Sequence, residues 1–440
     1  MKLPKNVQAI IHTLEQAGFE GYAVGGCVRD TLLGKKPDDW DITTNASPIQ
    51  VKELFHRTID TGIQHGTVTV LMERETYEVT TYRIDGEYED SRHPKEVIFT
   101  ASLLEDLKRR DFTINAMAYN DASGIVDAFS GMQDLENKII RCVGNPVERF
   151  TEDALRMMRA VRFSGQLGYE IEEKTGQAVL QLAPTLSKIS AERICTELTK
   201  LMVSPHPDYL RKAYELGMTK VFLPEFDDAM ATEQKNPHHC YSVGEHILHS
   251  LLYVKADKVL RFAMLFHDLG KALTKTVDEE GIDHFYGHVE KSAEIADKRM
   301  KSLRFDNDTR EKVVRLVKYH DYKIELTKKA VRRAIVKVGE DIFPYLLEVK
   351  RADFLSQSFY KREEKETELQ QLTALYEEIL EEKDCISIKN LAVNGSDLIA
   401  LGMKPGKEIG VILQKLFDLV LEDPSFNTKE FLLSQISLSE

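Results

Sequence analysis

The chain has 440 residues, of which 42% are hydrophobic and 30% charged, and its formal net charge is −13. This length exceeds one compact core, so we expect about two to four domains with the balance of a soluble globular protein. The acidic balance argues against a protein that coats nucleic acid non-specifically, although it leaves room for a local basic surface.

The cysteines and the apolar runs indicate a cellular compartment. The five cysteines are odd in number and form no CxxC pair, which argues against a disulfide framework or a cysteine-based zinc site and fits a reducing cytoplasm. No apolar run is long enough to span a bilayer, and the start MKLPKNVQAIIHTLEQ reads as an amphipathic helix without a signal-peptide pattern. We therefore expect a cytoplasmic protein with no membrane partner.

The first 120 or so residues mix strand and helix signals. GYAVGG (21–26) predicts a short strand ending in a Gly-Gly turn, and CVRDTLLG (27–34) predicts a helix closed by Gly34. TVTVLM (67–72) and TYEVTTYRI (76–84) are rich in β-branched and aromatic residues and predict strands of one sheet. From Thr151 onward the pattern is helical almost throughout, so the fold class is α+β.

Residues 37–45, PDDWDITTN, place carboxylates unusually close together. Read as a strand, Asp39 and Asp41 share a face, where two carboxylates can hold Mg²⁺ for phosphoryl chemistry. A surface turn is the alternative, because Pro-Asp-Asp is good turn chemistry, and Asp38 fits that role. Glu78 is either a third carboxylate near the metal or a solvated strand residue.

The glycine pair upstream of the aspartates is suited to a phosphate. Gly25 and Gly26 let backbone N–H groups approach a triphosphate at a helix start, and Arg29 can add a charge-assisted bond. Alone, this turn is weak evidence, because most such pairs are only turns.

Six motifs in a fixed order give a specific resemblance. They are GGCVRD (25–30), DDWD (38–41), RRDFTINA (109–116), DAFSGMQDL (127–135), EDALRMMRAVRF (152–163) and SAERICTEL (190–198). Together they resemble the class II tRNA nucleotidyltransferase family, which contains bacterial CCA-adding enzymes and poly(A) polymerases. The resemblance implies a polymerase-β-like head (1–145), a helical neck with the base-reading helix (146–235), an HD-type metal-binding body (236–355) and a helical, tRNA-contacting tail (356–440).

The resemblance also implies roles for individual side chains. Asp39 and Asp41 become the catalytic Mg²⁺ ligands, and Arg110 and Asp111 resemble residues that hold the ribose and phosphates of the nucleotide. Arg159 and Arg162 resemble triphosphate-facing arginines, with a solvated basic face as the alternative, whereas Asn115 fits a structural role.

The EDxxR motif matches Glu152, Asp153 and Arg156, to which the resemblance assigns the reading of the base. A carboxylate accepts and a guanidinium donates hydrogen bonds, which suits cytosine and adenine, since both present an exocyclic amine beside an acceptor nitrogen. Uracil and guanine present the reverse pattern, so they would leave polar groups unpaired. An ordinary surface ion pair at a helix start is the alternative.

The polar segment YRIDGEYEDSRHP (82–94) bears on the product. In the family that the chain resembles, a loop at this place accompanies addition of the terminal A, and enzymes limited to C addition lack it. The loop is complete here from Arg83 through Asp85, Gly86 and Arg92. This disfavours a CC-only enzyme but does not separate full CCA addition from A-only addition.

A second constellation lies between residues 238 and 354. HHCYSVGEHILHS, FHDLGK, GHVEKSAE, KYHD and KRADF resemble, in that order, the HD phosphohydrolase superfamily. The resemblance implies Mn²⁺, Ni²⁺, Co²⁺ or Mg²⁺ at four ligands, His246, His267, Asp268 and Asp353. His288 and His320 match auxiliary positions for a second metal or a phosphate, and Lys271 can bind phosphate. A packed helical body without activity is the alternative, and His238 and His239 are predicted to be simple surface.

One further basic segment, TKKAVRRAIVK (327–337), places four cations within two helical turns. The default interpretation is a solvated basic helix face, and the more specific hypothesis is a contact with the phosphate backbone of a nucleic acid.

These patterns together predict a tRNA nucleotidyltransferase that uses CTP and ATP to build or repair the CCA end. The alternatives in the same class are an A-adding enzyme and a poly(A) polymerase. The alternative of another class is a metal phosphohydrolase whose head senses nucleotides. The oligomeric state stays open.

Overall fold

The computed structural model describes residues 1–85 and 97–436, which form two compact units, residues 1–224 and residues 225–440. Much of the loop predicted to accompany A addition, including Gly86 and Arg92, therefore lies outside the described residues. The finer division into head, neck, body and tail stays a prediction. No helix among the described residues has the length and apolar character needed to cross a membrane.

The first unit combines strands and helices. Its strands are β1 Gly21–Val24, β2 Asp41–Thr44, β3 Thr58–Gly62, β4 Thr67–Met72, β5 Glu75–Thr81, β6 Arg83–Asp85, β7 Val97–Phe99, β8 Ala118–Asn120, β9 Gly124–Val126, β10 Ile139–Ile140 and β11 Glu170–Ile171. Its helices are α1 Lys5–Gln16, α2 Gly26–Leu32, α3 Pro48–Leu54, α4 Leu103–Lys108, α5 Gly131–Asn137, α6 Pro146–Glu152, α7 Leu155–Leu167, α8 Glu173–Leu182, α9 Ala191–Met202, α10 Leu210–Glu215 and α11 Thr219–Phe222.

A mixed seven-stranded sheet organises the head. Its strand order is β3-β4-β5-β2-β1-β8-β9, and β2 and β5 run parallel whereas the other neighbours are antiparallel. Val68, Val70 and Val79 are fully buried, as the alternation of apolar residues along β4 and β5 predicts. The predicted α+β class and the mixed sheet are confirmed.

The second unit is almost entirely helical. Its elements are α12 Pro224–Ala231, α13 Val243–Leu251, α14 Lys258–Phe266, α15 Lys271–Thr274, β12 Thr276–Val277, β13 Asp283–His284, α16 His288–Ser302, α17 Asn307–Tyr319, α18 Lys328–Val338, α19 Phe343–Leu355, α20 Arg362–Glu381, α21 Gly395–Ala400, α22 Lys407–Glu422 and α23 Lys429–Ser434. Helix α14 is its most buried element, because Phe262, Leu265 and Phe266 are all fully covered. Apart from Lys258 and Arg261 its residues are apolar, as expected of a helix at the centre of a core.

The basic segment of α18 holds helices together. Arg332 is 4% exposed, and its guanidinium donates to Asp384 at 2.9 Å and to the backbone carbonyls of Leu421 and Glu422. Three of the other cations of the segment also form ion pairs, Lys328 with Glu378 and Glu382, and Lys329 and Arg333 with Glu422. The expected contact with a phosphate backbone is therefore not favoured here, because these cations link α18 to α20, α22 and the turn after α20.

Replacement of Arg332 by alanine should destabilise the second unit. The side chains of Arg332 and Asp384 are only 5% and 6% exposed, so the variant would leave a buried carboxylate without its cation. We expect a loss of about 3–5 kcal/mol in unfolding free energy by denaturant titration. Arg333→Ala, which removes a 57%-exposed side chain from the same helix, should change it by less than about 1 kcal/mol. Equal losses in the two variants would contradict this assignment.

Candidate functional sites

The paired aspartates lie where β2 begins. Asp41 is the first residue of β2, whereas Asp39 is exposed and precedes the strand, so the expectation that both belong to one strand is wrong. The parallel register pairs Asp41 with Glu78 on β5, which places a third carboxylate beside it. Among the described residues, three or more potential ligand atoms lie within 4.8 Å of one another only in the histidine block. In the head, the carboxylates of Asp39 and Asp41 instead form a pair close enough for their charges to interact. Proteins commonly bind Mg²⁺ through one or two carboxylates together with substrate phosphates.

The environment of Asp41 disfavours the ionised form of its carboxyl group. Burial raises its pKa, the Asp39 carboxylate raises it further, Arg110 lowers it, and Glu78 raises it again, with a result of about 6. Because a bound cation would favour the ionised form, this environment fits a metal or a polycationic partner.

The Gly-Gly turn packs directly against an arginine. Gly25 has φ of 82° and precedes α2, and its N–H donates to the carbonyl of Met117. A Cβ at Gly25 would come within 3.0 Å of Arg110 Nη1, so glycine allows this approach. Arg110 also lines a cavity of about 190 Å³ that contains Asp41 and Glu78. The structure thus brings together the predicted turn, arginine and carboxylate.

A buried chain of hydrogen bonds links α2 to α7. Arg29 donates to Asn115 Oδ1 at 2.7 Å, and Asn115 donates to Asp111 Oδ1 at 3.2 Å. Arg159 donates to the other oxygen of Asp111 at 2.7 Å. Burial alone would raise the pKa of Asp111, but Arg159 and Asn115 outweigh it and hold the pKa at about 2. Asn115 therefore has the structural role that we predicted.

Three predicted nucleotide-binding arginines surround one aromatic ring. The guanidinium carbons of Arg162, Arg29 and Arg159 lie 3.9, 5.1 and 5.3 Å from the centroid of the Phe163 ring. Arg162 pairs with Glu197 at 2.7 Å and its side chain is 8% exposed, whereas that of Arg159 is 34% exposed. Arg159 is thus the most accessible of the three to a phosphate.

The side chains of the proposed base readers have different partners. Helix α6 ends at Glu152, Asp153 follows it, and α7 begins at Leu155, so the single helix start that we predicted is instead a break between two helices. Arg156 donates to Glu152 at 2.7 Å, and Asp153 accepts from Arg193 at 2.7 Å. Arg193 lies in the motif SAERICTEL, but nothing in the sequence indicates its partner 40 residues away.

The histidine block forms a compact group of potential metal ligands. One ligand atom each from His246, His267, Asp268 and Asp353 lies within 4.8 Å of the other three, as do those of a second group, Asp268, His288 and His320. Within the first group, His246 Nε2 lies 3.2 Å from His267 Nε2 and 3.0 Å from Asp353 Oδ1. All four predicted primary ligands are therefore gathered, and Asp268 joins the two groups.

The imidazoles are oriented as metal ligands usually are. The Nδ1 atoms of His267, His288 and His320 lie 2.7–2.8 Å from backbone carbonyls, which favours the tautomer that donates from Nδ1. Each Nε2 atom then faces the Asp268 carboxylate, at 3.4, 3.5 and 3.7 Å respectively. This set of nitrogen and oxygen donors fits a divalent cation.

The electrostatics of the group point in the same direction. Burial lowers the pKa of His267, but Asp268 and Asp353 outweigh it and raise the pKa to about 10. The pKa of Asp268 lies well below its ordinary value, because His267 and Lys271 outweigh the effect of burial. Lys271 Nζ lies 2.7 Å from Asp268, so this lysine is at the site, as predicted.

His239 is a member of this site that the sequence did not reveal. Its ring packs edge-on against that of His246 with centroids 5.2 Å apart, and it lines the same cavity as Asp268 and Lys271. The prediction of simple surface is therefore wrong for His239. Burial is the main cause that lowers its pKa, to about 2.

Family models match most of the chain. Residues 21–141 match the "Poly A polymerase head domain", residues 168–230 match the "Probable RNA and SrmB-binding site of polymerase A", and residues 274–436 match "tRNA nucleotidyltransferase domain 2". Together with the mixed sheet and the carboxylates beside the glycine turn, these matches define a nucleotidyltransferase.

Individual relatives narrow the class to one family. The chain is 38% identical over 428 residues to the CCA-adding enzyme of Lactobacillus helveticus, an alignment that spans 96% of this chain and 94% of the relative. The chain belongs to the family of CCA-adding enzymes. The Bacillus stearothermophilus CCA-adding enzyme in complex with CTP is 30% identical, with a TM-score of 0.73 and coverage of 99% of this chain and 98% of that one. The Thermotoga maritima CCA-adding enzyme complexed with tRNA has the same fold at 19% identity, with a TM-score of 0.57 and coverage of 98% and 93%.

The raised pKa of Asp41 predicts a cost in stability. Between its ordinary pKa of 3.8 and about 6, the folded metal-free protein binds more protons than the unfolded chain, so stability falls as pH rises through this interval. Asp41→Asn should therefore raise the unfolding free energy by about 1–3 kcal/mol at pH 8 in chelator and leave it unchanged near pH 4. Asp38→Asn, at an exposed neighbour, should show no such dependence. Identical unfolding curves for wild type and Asp41→Asn at pH 8 would contradict the electrostatic assignment.

Proposed function

We propose that this chain is a template-independent tRNA nucleotidyltransferase that adds or repairs the 3′-terminal CCA of tRNA from CTP and ATP. The 3′-hydroxyl of the tRNA attacks the α-phosphate of the nucleotide, and pyrophosphate leaves. The observation that carries this proposal is the Asp41 carboxylate beside Arg110 and the Gly25 turn, in a chain related over 96% of its length to a CCA-adding enzyme.

Asp39 and Asp41 would hold Mg²⁺ in the head. When bound, Mg²⁺ supplies positive charge for the triphosphate and lowers the pKa of the attacking hydroxyl. Around it, the N–H of Gly26 and the guanidinium of Arg110 would contact the phosphates, and Gly25, whose N–H donates to the carbonyl of Met117, would allow Arg110 to approach. Of the remaining predicted nucleotide ligands, the exposure of Arg159 favours it as a phosphate contact, whereas Arg29, Asp111 and Arg162 act through the buried network that holds Arg159.

Asp153 and Arg156 would read the base. Asp153 accepts from Arg193, and Arg156 donates to Glu152 and to the backbone carbonyls of Arg149 and Arg109. The nucleotide would therefore share or replace some of these hydrogen bonds. Cytosine and adenine satisfy an acceptor and a donor placed side by side, and uracil and guanine do not. Arg193 is then a positioning residue that orients the Asp153 carboxylate.

Two other functions of the same class remain as alternatives, an A-adding enzyme and a poly(A) polymerase. The sequence pI of about 5.6 disfavours the latter, which must follow a long phosphate backbone. We also infer the head, neck, body and tail boundaries given above, and a cytoplasmic location.

The histidine block supports a second activity of another class, an HD-type metal phosphohydrolase. His246, His267, Asp268 and Asp353 would hold Mn²⁺, Ni²⁺, Co²⁺ or Mg²⁺, and His288 and His320 would complete a second group around Asp268. Lys271 adds a cation for a phosphate. The largely buried polar cluster is the observation that favours this activity, because such groups are rarely gathered without a partner.

The nucleotide-addition function is tested with defined tRNA ends. Purified protein is incubated with tRNAs that end before CCA, after C and after CC, with each labelled nucleoside triphosphate supplied separately. We expect C to be added to the first two substrates and A to the third. Addition of A alone would establish the A-adding alternative, and long A tracts would establish a poly(A) polymerase.

Loss of the base-reading pair should relax the choice of nucleotide. In Asp153→Ala and Arg156→Ala, we expect UTP or GTP incorporation relative to CTP and ATP to rise about tenfold or more, because the mismatch no longer leaves a polar group unpaired. Arg193→Ala should relax selectivity in the same sense. Arg141→Ala, which also removes an arginine paired with two carboxylates, should not. If single-nucleotide assays gave unchanged ratios of UTP or GTP incorporation to CTP and ATP incorporation, Asp153 and Arg156 would have only a structural role.

Metal binding at the histidine block can be separated from nucleotide addition. Elemental analysis should find a divalent metal in wild-type protein, and its removal should lower the unfolding temperature, because a ligand of the folded state stabilises it. The double variant His267→Ala with Asp268→Ala should lose this metal and keep nucleotide addition. His284→Ala, outside both ligand groups, should keep both properties. If the wild-type protein bound none of Mn²⁺, Ni²⁺, Co²⁺ and Mg²⁺, the histidine block would have only a structural role.

A further inference from the structure

The cavity beside Asp41 has two threonines in its wall to which the proposed reaction gives no role. Thr67, at the start of β4, and Thr80, on β5, line this cavity of about 190 Å³ together with Asp41 and Glu78. The two threonines face each other across the antiparallel strands, and their hydroxyl oxygens lie 3.0 Å apart, within hydrogen-bonding distance. Both residues are half-buried, so a group in the cavity can reach their hydroxyls.

The hydroxyl pair has unused hydrogen-bonding capacity. Each threonine hydroxyl has one donor and two acceptor positions, and the bond between the two uses one donor and one acceptor. Among the residues that the structure describes, neither hydroxyl has another hydrogen-bond partner. The pair can therefore donate and accept at the same place. This suits a ligand hydroxyl better than a phosphate or a carbonyl oxygen, because a hydroxyl also donates and accepts.

The threonines lie on the side of Asp41 that is opposite to the glycine turn. In the sheet, β2 lies between β5 and β1. Asp41 begins β2, the threonines are on β4 and β5 to one side, and the Gly25 turn follows β1 on the other. In a displacement at the α-phosphate, the attacking and leaving oxygens are roughly in line on opposite sides of phosphorus. With the leaving pyrophosphate at the glycine turn, the attacking 3′-hydroxyl approaches from the side of the threonines.

We infer that Thr67 and Thr80 bind the 2′-hydroxyl of the last ribose of the tRNA, whose 3′-hydroxyl attacks. The inference rests on the nucleotide addition proposed above, and it adds the residues that select an RNA end over a DNA end. The 2′- and 3′-hydroxyls are on adjacent carbons of one ring, so groups that hold the first also fix the second near Asp41 and Glu78. The 2′-hydroxyl is the group by which a protein distinguishes RNA from DNA at a given position.

A second pair of threonines provides a comparison within the same sheet. The hydroxyl oxygens of Thr61 on β3 and Thr69 on β4 lie 2.7 Å apart, and neither residue is among the described residues that line the cavity. Cross-strand threonine pairs stabilise a sheet whether or not a ligand is present. The two pairs share this structural role, and they differ in whether they line the cavity that contains Asp41.

The inference is tested with two tRNA ends and the full-length protein. The tRNA ends before CCA and has either ribose or 2′-deoxyribose at its last nucleotide, and kcat/KM is measured for addition of one C from CTP with Mg²⁺. We expect the wild type to prefer the ribose end. The double variant Thr67→Val with Thr80→Val should lower this preference about fivefold or more, because it removes hydrogen bonds to the 2′-hydroxyl. The effect of the 2′-oxygen on the reactivity of the 3′-hydroxyl is the same in both proteins, so it cancels in the comparison.

Matched variants separate recognition of the ribose from support of the sheet. Thr61→Val with Thr69→Val should keep the preference of the wild type, as should Thr67→Ser with Thr80→Ser, which retains both hydroxyls. Thr80→Val alone should lower the preference about twofold or more, and it replaces the double variant if that protein does not fold.

The outcomes distinguish failure of the subsite from failure of nucleotide addition. Equal kcat/KM for the two ends in the wild type, or a preference that the valine variants of Thr67 and Thr80 retain, would overturn the subsite and leave nucleotide addition intact. An equal loss of preference in the variant of Thr61 and Thr69 would also overturn it. Failure of the wild type to extend the ribose end would refute the proposed addition and the subsite with it.

Discussion

The buried carboxylate of Asp111 holds the first unit together at the point where nucleotide chemistry is proposed. It accepts hydrogen bonds from Arg159 on α7, from the Asn115 side chain and from the backbone N–H of Phe112. Through Asn115 it also orients Arg29 on α2, directly after the glycine turn. Without this carboxylate, Arg159 would lose its ion pair while lying beside the guanidinium groups of Arg29 and Arg162. The removal of one partner from such a buried pair costs about 3–5 kcal/mol, far more than an exposed ion pair contributes.

Both candidate sites gather groups whose charges or lone pairs oppose each other. Asp41 lies beside Asp39 and Glu78, and its pKa rises to about 6 for that reason and because it is buried. In the histidine block, the carboxylates of Asp268 and Asp353 approach the same two nitrogen atoms, His246 Nε2 and His267 Nε2. A cation would relieve the opposition in either place. Arrangements of this kind weaken a fold, so their presence is better explained by binding than by stability.

The parts of this structure that depend on local pattern could be predicted from sequence. The strand of GYAVGG, the two β-branched strands and the helices around the histidines all follow from residues a few positions apart. The residues of the first potential metal-ligand group could be named in advance because short motifs carry them. The parallel register that sets Glu78 beside Asp41 depends on how two strands 37 residues apart pair, and single-sequence patterns do not encode it.

The features that could not be predicted from the sequence depend on side chains that are far apart in the chain. Asp153 meets Arg193, and Arg332 meets Asp384, across 40 and 52 residues, and in each case the charged side chain read alone resembles an ordinary surface residue. The helix break at Asp153 was also hidden, because Asp and Ala are both compatible with a continued helix. His239 resembled surface for the same reason, since only the fold places its ring against His246.

The pairing of Asp153 with Arg193 and of Arg156 with Glu152 suits the base-reading role proposed for them. Each charge is partly buried and paired when no nucleotide is bound, and Arg156 also donates to the backbone carbonyls of Arg149 and Arg109, so the nucleotide-free protein avoids an isolated buried charge. In the proposed reaction, the base would share or replace some of these hydrogen bonds. A matching base adds hydrogen bonds to groups already held in place, at little cost in side-chain entropy. A base with the reverse pattern would displace water from the same groups without forming hydrogen bonds to them. The resulting difference in binding free energy would discriminate between the bases.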